Sequence, residues 1–145
     1  MTETIDCPDL AATEAFGRRF AATLQPGDVV ALDGPLGAGK THLVRAMAEG
    51  LGIVNPALVS SPTFVLIQEY PARLPIYHFD AYRLTGPDDF LALGAHEYLD
   101  GDGVCLIEWA DRVRPVLPGR TISIRIETTG ETSRRFHIDR PSRTG

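Results

Sequence analysis

An α/β fold with a mixed sheet flanked by helices is what this sequence predicts, on three observations. The apolar run Val29-Val30-Ala31-Leu32 leads into a glycine-rich segment and then into residues at helical spacing, the strand, loop, helix order of an α/β unit. Two pairs of short alternating or apolar runs are joined by turn-prone residues, which marks hairpins and so antiparallel strands. A length of 145 residues with 43% hydrophobic side chains supports one core of ordinary size, so a single domain over 1–140 is expected, with a disordered tail at 141–145.

In chain order, residues 2–7 alternate weakly and are expected as an edge strand. Pro8-Asp9 supplies a helix start, and Leu10, Thr13, Gly17, Phe20 and Leu24 continue at helical spacing, which predicts a first helix over 9–24, closed by Pro26-Gly27. The run from Val29 to Leu32 reads as a buried strand. Beyond the glycines, Leu43, Val44, Met47 and Leu51 form one face of a second helix from Lys40, stopped near Gly50 and Gly52. Ser60-Ser61-Pro62-Thr63 is a loop, then Phe64 to Tyr70 and Ile76 to Asp80 are strands joined by Pro71-Ala72-Arg73-Leu74-Pro75. Gly86-Pro87-Asp88-Asp89 opens a short helix through Leu93, with a proline and two acids where a helix start accepts them. Val104 to Glu108 is another apolar run ending in an acid. Thr121 to Thr128, a turn at Gly130 and Arg135 to Asp139 form a C-terminal hairpin.

Composition narrows the function classes. Two cysteines, Cys7 and Cys105, are too few for a disulfide framework and lack zinc-site spacing. The acidic N-terminus lacks the basic start and apolar run of a leader, and no stretch is long enough to span a bilayer, so a cytoplasmic protein without membrane contact is expected. Net charge is −5, and the basic residues concentrate weakly towards the C-terminal end. That balance argues against gripping a long nucleic acid alone, because neutralising phosphates needs a dense basic surface. Any role with nucleic acid is expected to run through partners. Of the 14 basic residues 13 are arginine, and the only lysine is Lys40. At that position a compact ammonium is not exchanged for a planar fork.

Lys40 belongs to Gly34-Pro35-Leu36-Gly37-Ala38-Gly39-Lys40-Thr41, which fits G-x-x-x-x-G-K-[ST] in full. The glycines let backbone N–H groups point into a concave loop, and the following helix adds the positive end of its dipole. That geometry suits a triphosphate, with Lys40 reaching the β and γ phosphates and the Thr41 hydroxyl ligating Mg²⁺. ATP with Mg²⁺ is therefore the expected ligand, against the plainer alternative of a glycine-rich turn with an exposed lysine. Asp80 and Glu108 each end an apolar run, which in a parallel sheet places a carboxylate at the crevice where phosphates lie. One would hold the metal and the other orient the attacking water, and the sequence leaves open which does which. Either could instead be a capping or surface carboxylate.

The segments GPLGAGKT, SPTFVLIQEY, HFDAYRL and LIEW occur in that order, followed by the C-terminal hairpin. Together they resemble the TsaE (YjeE) family, bacterial ATPases of tRNA threonylcarbamoyladenosine synthesis, over residues 8–136. The resemblance implies a P-loop NTPase fold whose central strands are parallel and whose edge strands are antiparallel. It implies an ATPase that supports turnover of a TsaD and TsaB complex, with tRNA reached only through those partners; no stable homo-oligomer is expected. By position it implies Leu36, Gly37, Ala38, Gly39, Lys40 and Thr41 on the phosphates, Thr41 and Glu108 on Mg²⁺, and Asp80 close to the metal and the γ-phosphate. Lys40, Asp80 and Glu108 are then the catalytic set. Thr63 would be a switch threonine, or else a turn residue with backbone hydrogen bonds. Trp109 would lie by the nucleotide, or else pack in the core, and Leu10, Asp111 and Gly130 would surround base and sugar. His78 reads as a structural histidine, because phosphoryl transfer asks for carboxylates and magnesium. Tyr82 and Arg83 anchor the loop after Asp80 or face a partner. Ala110 and Asp111 depart from the family's commoner form, where proline often follows the tryptophan.

Two other functions share the loop. A small-molecule or nucleoside kinase would use a lid, and no arginine-rich helical insertion stands between the second helix and Gly130. A nucleotide-gated assembly protein would bind without useful hydrolysis.

Overall fold

The strand that leads into the glycine loop lies inside the sheet, and its sequence explains why. A computed structural model describes residues 2–35, 37–59 and 67–141. Among them are strands β1 (Thr2–Cys7), β2 (Val29–Asp33), β3 (Ile67–Tyr70), β4 (Ile76–Asp80), β5 (Val104–Glu108), β6 (Ile122–Thr128) and β7 (Arg134–Asp139). They form one seven-stranded sheet in the order β1-β7-β6-β2-β5-β4-β3. Strands β6, β2, β5 and β4 are parallel, whereas β7 and β1 on one side and β3 on the other pair antiparallel. This is the mixed sheet that the sequence predicts.

The sheet has a core on each face. Helices α1 (Leu10–Ala22) and α2 (Lys40–Gly50) pack Phe16, Phe20, Leu43 and Met47 with Leu32, Leu106 and Ile124. On the other face α3 (Pro87–Ala92), α4 (Ala95–Leu99) and the turns after β5 gather Phe90 and Leu99 around Ala31, Phe79 and Ile107. Strands β2 and β5 are covered on both faces and read as unbroken apolar runs. Strand β6 instead alternates buried Ile122, Ile124 and Ile126 with Ser123, Arg125 and Glu127, as one covered face requires.

Differences from the sequence reading lie mostly at element ends. Asp9 caps α1 by accepting the Ala12 N–H at 2.8 Å, as Pro8-Asp9 signals. The helix stops at Ala22 rather than 24, because the Thr23 and Leu24 N–H groups turn to the carbonyls of Phe20 and Ala21, three residues back, at 3.1 and 3.0 Å. Helix α4 is unforeseen: with five residues after Gly94 it is too short for periodicity to reveal. The strand expected from Phe64 is described from Ile67 onward, and residues 60–66 lie outside the described residues. Of the tail expected at 141–145, only Pro141 is described. Among the described residues no helix is long and apolar enough to cross a membrane.

Helices α1 and α2 meet closely at Gly50. A Cβ there would lie 2.4 Å from the Arg18 carbonyl oxygen and 2.9 Å from the Arg18 Cα, both backbone atoms that move only with the whole helix. Gly50→Ala should therefore destabilise the protein by about 1–3 kcal/mol despite its better helix propensity. Gly86→Ala, with open space around it, should stay within about 0.5 kcal/mol of the parent. Urea midpoints of the two variants check this.

Candidate functional site

Strand β2 ends at Asp33, and the chain turns through Gly34 and Pro35 to the start of α2. Leu36 lies outside the described residues. Gly37 and Gly39 have φ of 81° and 91°, a region that costs other residues about 1–2 kcal/mol, so both motif glycines are needed here. The Gly39 carbonyl accepts the Leu43 N–H at 2.9 Å and starts α2. Helix geometry then leaves the N–H groups of its first turn, beginning at Lys40 and Thr41, aimed at the loop with the positive dipole end behind them. The loop is also held from the far side of the chain, since Arg134 Nε donates to the Ala38 carbonyl at 2.9 Å.

Lys40 is only 6% exposed. Its ammonium donates to the carbonyls of Gly34 at 2.8 Å and Pro35 at 3.0 Å, and sits 3.9 Å from the centre of the Trp109 ring. Burial pulls its pKa below the usual lysine range, and the carboxylates of Glu108, Asp33 and Asp80 pull it back up. One cation therefore faces three acids at the ends of β2, β4 and β5.

Glu108, 3% exposed, ends β5 beside Thr41. The Thr41 hydroxyl stands 3.3 and 3.4 Å from its two oxygens, long for a hydrogen bond. Two oxygens bound at right angles to one Mg²⁺ lie about 3 Å apart, given metal–oxygen distances near 2.1 Å. The pair thus has nearly the spacing of adjacent magnesium ligands, and the residues fit that ion. Among the described residues no group of three or more His, Cys, Asp and Glu side chains is arranged to hold a metal. A partial protein shell is usual for Mg²⁺, which water and phosphate oxygens complete.

On its other side the Glu108 carboxylate meets His78 Nε2 at 2.5 Å. His78 is fully buried, and its Nδ1 faces the Tyr70 hydroxyl at 3.1 Å. The Tyr70 hydroxyl in turn contacts Gln68 Oε1. The histidine is thus structurally satisfied, as the sequence reading has it, and it also touches a site carboxylate. Asp80 is in register with Glu108 across β4 and β5, and its Oδ1 accepts the Tyr82 N–H at 2.9 Å, closing the turn after β4.

Trp109 is the one described residue other than glycine with positive φ, 58°. Its N–H donates to the Leu32 carbonyl at 3.0 Å, tying it to the end of β2, and its ring packs on Tyr82 with centroids 4.9 Å apart. The ring is half-buried, lying beside Lys40 and also packing against the core on the face of α3 and α4. Next to the loop opens a cavity of about 740 Å³, lined by Asp33, Gly34, Trp109, Asp111, Arg112 and Glu127 among others. Leu10, 46% exposed at the start of α1, and Gly130 are not on its wall. Gly130 joins the loop only indirectly, its carbonyl accepting from the Arg134 that also holds Ala38. Thr63 lies outside the described residues.

Three site residues escape the sequence reading. Asp33 ends the apolar run of β2, the same strand-then-acid pattern that picks out Asp80 and Glu108, so the signal is present. Burial raises its pKa above the usual carboxylate range; the Asp111 N–H at 3.0 Å and the Arg114 guanidinium at 2.6 Å act against that rise. Arg114 and Arg134 escape it because the contacts that bring them to the site, with Asp33 and Ala38, join residues far apart in the chain.

With the geometry in place, kinship decides the family. The family model described as threonylcarbamoyl adenosine biosynthesis protein TsaE matches residues 7–136. The chain belongs to the TsaE family. A TsaE protein of Bacillus subtilis is 46% identical over 84% of this chain and 75% of its own length. The TsaE protein of Treponema pallidum is 41% identical over 87% of this chain and 92% of its own. The crystal structure of Bacillus subtilis YdiB aligns with a TM-score of 0.78 at 34% identity, covering 98% of this chain and 87% of that one. The fold of this TsaE-family chain is accordingly the P-loop NTPase fold.

The Lys40 ammonium against the ring of the only tryptophan gives a direct check. Lys40→Met should change the Trp109 emission of the protein without added ligand while leaving its far-ultraviolet circular dichroism as it was. Steady-state fluorescence measures this.

Proposed function

We propose that this chain binds ATP with Mg²⁺ at the glycine loop and hydrolyses it slowly, as the ATPase subunit of the bacterial tRNA threonylcarbamoyladenosine machinery. In this reading it acts in the cytoplasm, supports turnover of a TsaD and TsaB complex, and meets tRNA only through those partners. The observation that carries the reading is the Thr41 hydroxyl set 3.3–3.4 Å from both Glu108 oxygens beside the buried Lys40. Family membership supports the biosynthetic setting.

The residues divide the work by position. Backbone N–H groups of the loop and the first turn of α2 receive the phosphates, from Leu36 to Thr41. Lys40 exchanges its two carbonyl partners for the β and γ phosphate oxygens, a stronger pairing because both partners are then charged. Thr41 and Glu108 would hold Mg²⁺, which when bound offsets the charge that builds on the transferring phosphoryl group. Asp80 is then the carboxylate left to orient the attacking water, and its turn through Tyr82 fixes it at the strand end. Trp109 and Asp111 offer the adjoining cavity to the nucleoside, whose base can stack on the indole. Thr63 is assigned the switch role from the resemblance alone.

Slow intrinsic turnover follows from the absence of an evident arginine finger in the loop region of the sequence, a group worth about 10³–10⁵ in rate where present. Purified with TsaD and TsaB, the chain should release phosphate from ATP faster than it does alone. Lys40→Ala should weaken ATP binding by about 10- to 100-fold, the worth of charged hydrogen bonds. Phosphoryl transfer to a small metabolite in place of phosphate release, or unaltered ATP affinity in Lys40→Ala, overturns the proposal. Isothermal titration and a phosphate-release assay supply the readings.

A further inference from the structure

The His78 ring lies between two groups that a merely structural histidine does not need to join. Glu108 and His78 sit on neighbouring parallel strands, two residues out of register, so both side chains project from the face that α2 covers. His78 Nε2 is 2.5 Å from Glu108 Oε2, and Nδ1 is 3.1 Å from the Tyr70 hydroxyl. Tyr70 and Gln68 come from the antiparallel neighbour β3, where Gln68 is in register with His78. The Tyr70 hydroxyl contacts Gln68, so the chain of contacts runs from Gln68 through Tyr70 and His78 to Glu108. His78 is 0% and Tyr70 3% exposed, which excludes water as a substitute for either partner at no cost.

We infer that His78, oriented by Tyr70, is a positioning residue that fixes the Glu108 carboxylate for Mg²⁺. The inference rests on the Mg-ATP reading above. A carboxylate only accepts hydrogen bonds, so Nε2 must carry the hydrogen in this contact. With Oε2 held by that bond, the carboxylate cannot rotate about its own axis, and its edge stays turned to the Thr41 hydroxyl. Tyr70 stops the imidazole from turning away, because its O–H donates to Nδ1, while the phenol oxygen meets the Gln68 amide, whose nitrogen and oxygen exchange places by a flip. A ligand carboxylate held in this way has less freedom to lose when it binds the ion, and partners of this kind typically carry about 10- to 100-fold in metal affinity or activity. Nothing in this arrangement asks His78 to touch nucleotide.

The test titrates Mg²⁺ into the full chain at fixed ATP and follows Trp109 fluorescence, with ATP binding in EDTA as a second reading. His78→Met should raise the Mg²⁺ midpoint by about 10- to 100-fold and leave ATP binding in EDTA as in the parent. His78→Gln, whose amide nitrogen reaches the place of Nε2, should recover most of that loss. Tyr70→Phe, which removes only the hydroxyl, should shift the midpoint in the same direction by less. A folded His78→Met with the parent midpoint overturns the inference, as does a folded His78→Gln no better than His78→Met. Should His78→Met fail to fold, Tyr70→Phe decides, and a parent-like midpoint there overturns it. A parent that binds ATP without any response to Mg²⁺ sinks the magnesium reading itself and this inference with it. That outcome is distinct, because it shows in the unaltered chain.

Discussion

The parallel pairing of β2 with β5 is the constraint on which the rest of the site depends. It sets Leu32 opposite Glu108, so the acid that ends β5 lies where β2 gives way to the glycine loop. Pairing of β5 with β4 in turn sets Asp80 opposite Glu108. Strands β2 and β5 are buried on two faces, and a one-residue slip of either pairing would turn the terminal acid to the opposite face of the sheet. Three strands therefore end together, and the only lysine of the chain arrives at their common edge on the first turn of α2.

That convergence explains the electrostatics of the site. The Lys40 ammonium is satisfied by two carbonyls, an indole face and the field of three carboxylates. Among the described residues the arrangement keeps a buried cation in place without a direct ion pair, so two carbonyl hydrogen bonds are what it gives up in turning to an incoming anion. Glu108 is held comparably, by a histidine on one side and a threonine hydroxyl on the other. Positive φ at Trp109 belongs to the same design: the left-handed residue bends the chain sharply after Glu108, laying the indole over Lys40 and not along the sheet.

What the sequence discloses follows from the range of the interactions involved. The loop at 34–41 is legible because positive φ at Gly37 and Gly39 and the helix start at Lys40 are local demands that only particular residues meet. The hairpins and the buried strands are legible from alternation and from unbroken apolar runs. Helix α4 is too short to leave a period, and the C-terminal end of α1 is set by the backbone bonds of one tightened turn at Thr23 and Leu24. Asp33 could have been found by the rule that finds Asp80 and Glu108. The contact of His78 with Glu108 could not, since it needs the β4–β5 register as well as the strand assignments. Arg134 on Ala38 is further still from any local pattern, joining residues 96 apart.

That last contact bears on how the protein comes into being. The phosphate loop leaves the ribosome early, with its motif complete, whereas the guanidinium that holds the Ala38 carbonyl comes with β7, the last strand of the described chain to be made. A nascent chain thus carries the signature of the site well before it carries the clamp. The finished loop needs β7 docked beside β6, so the strand made last also contributes to the binding surface.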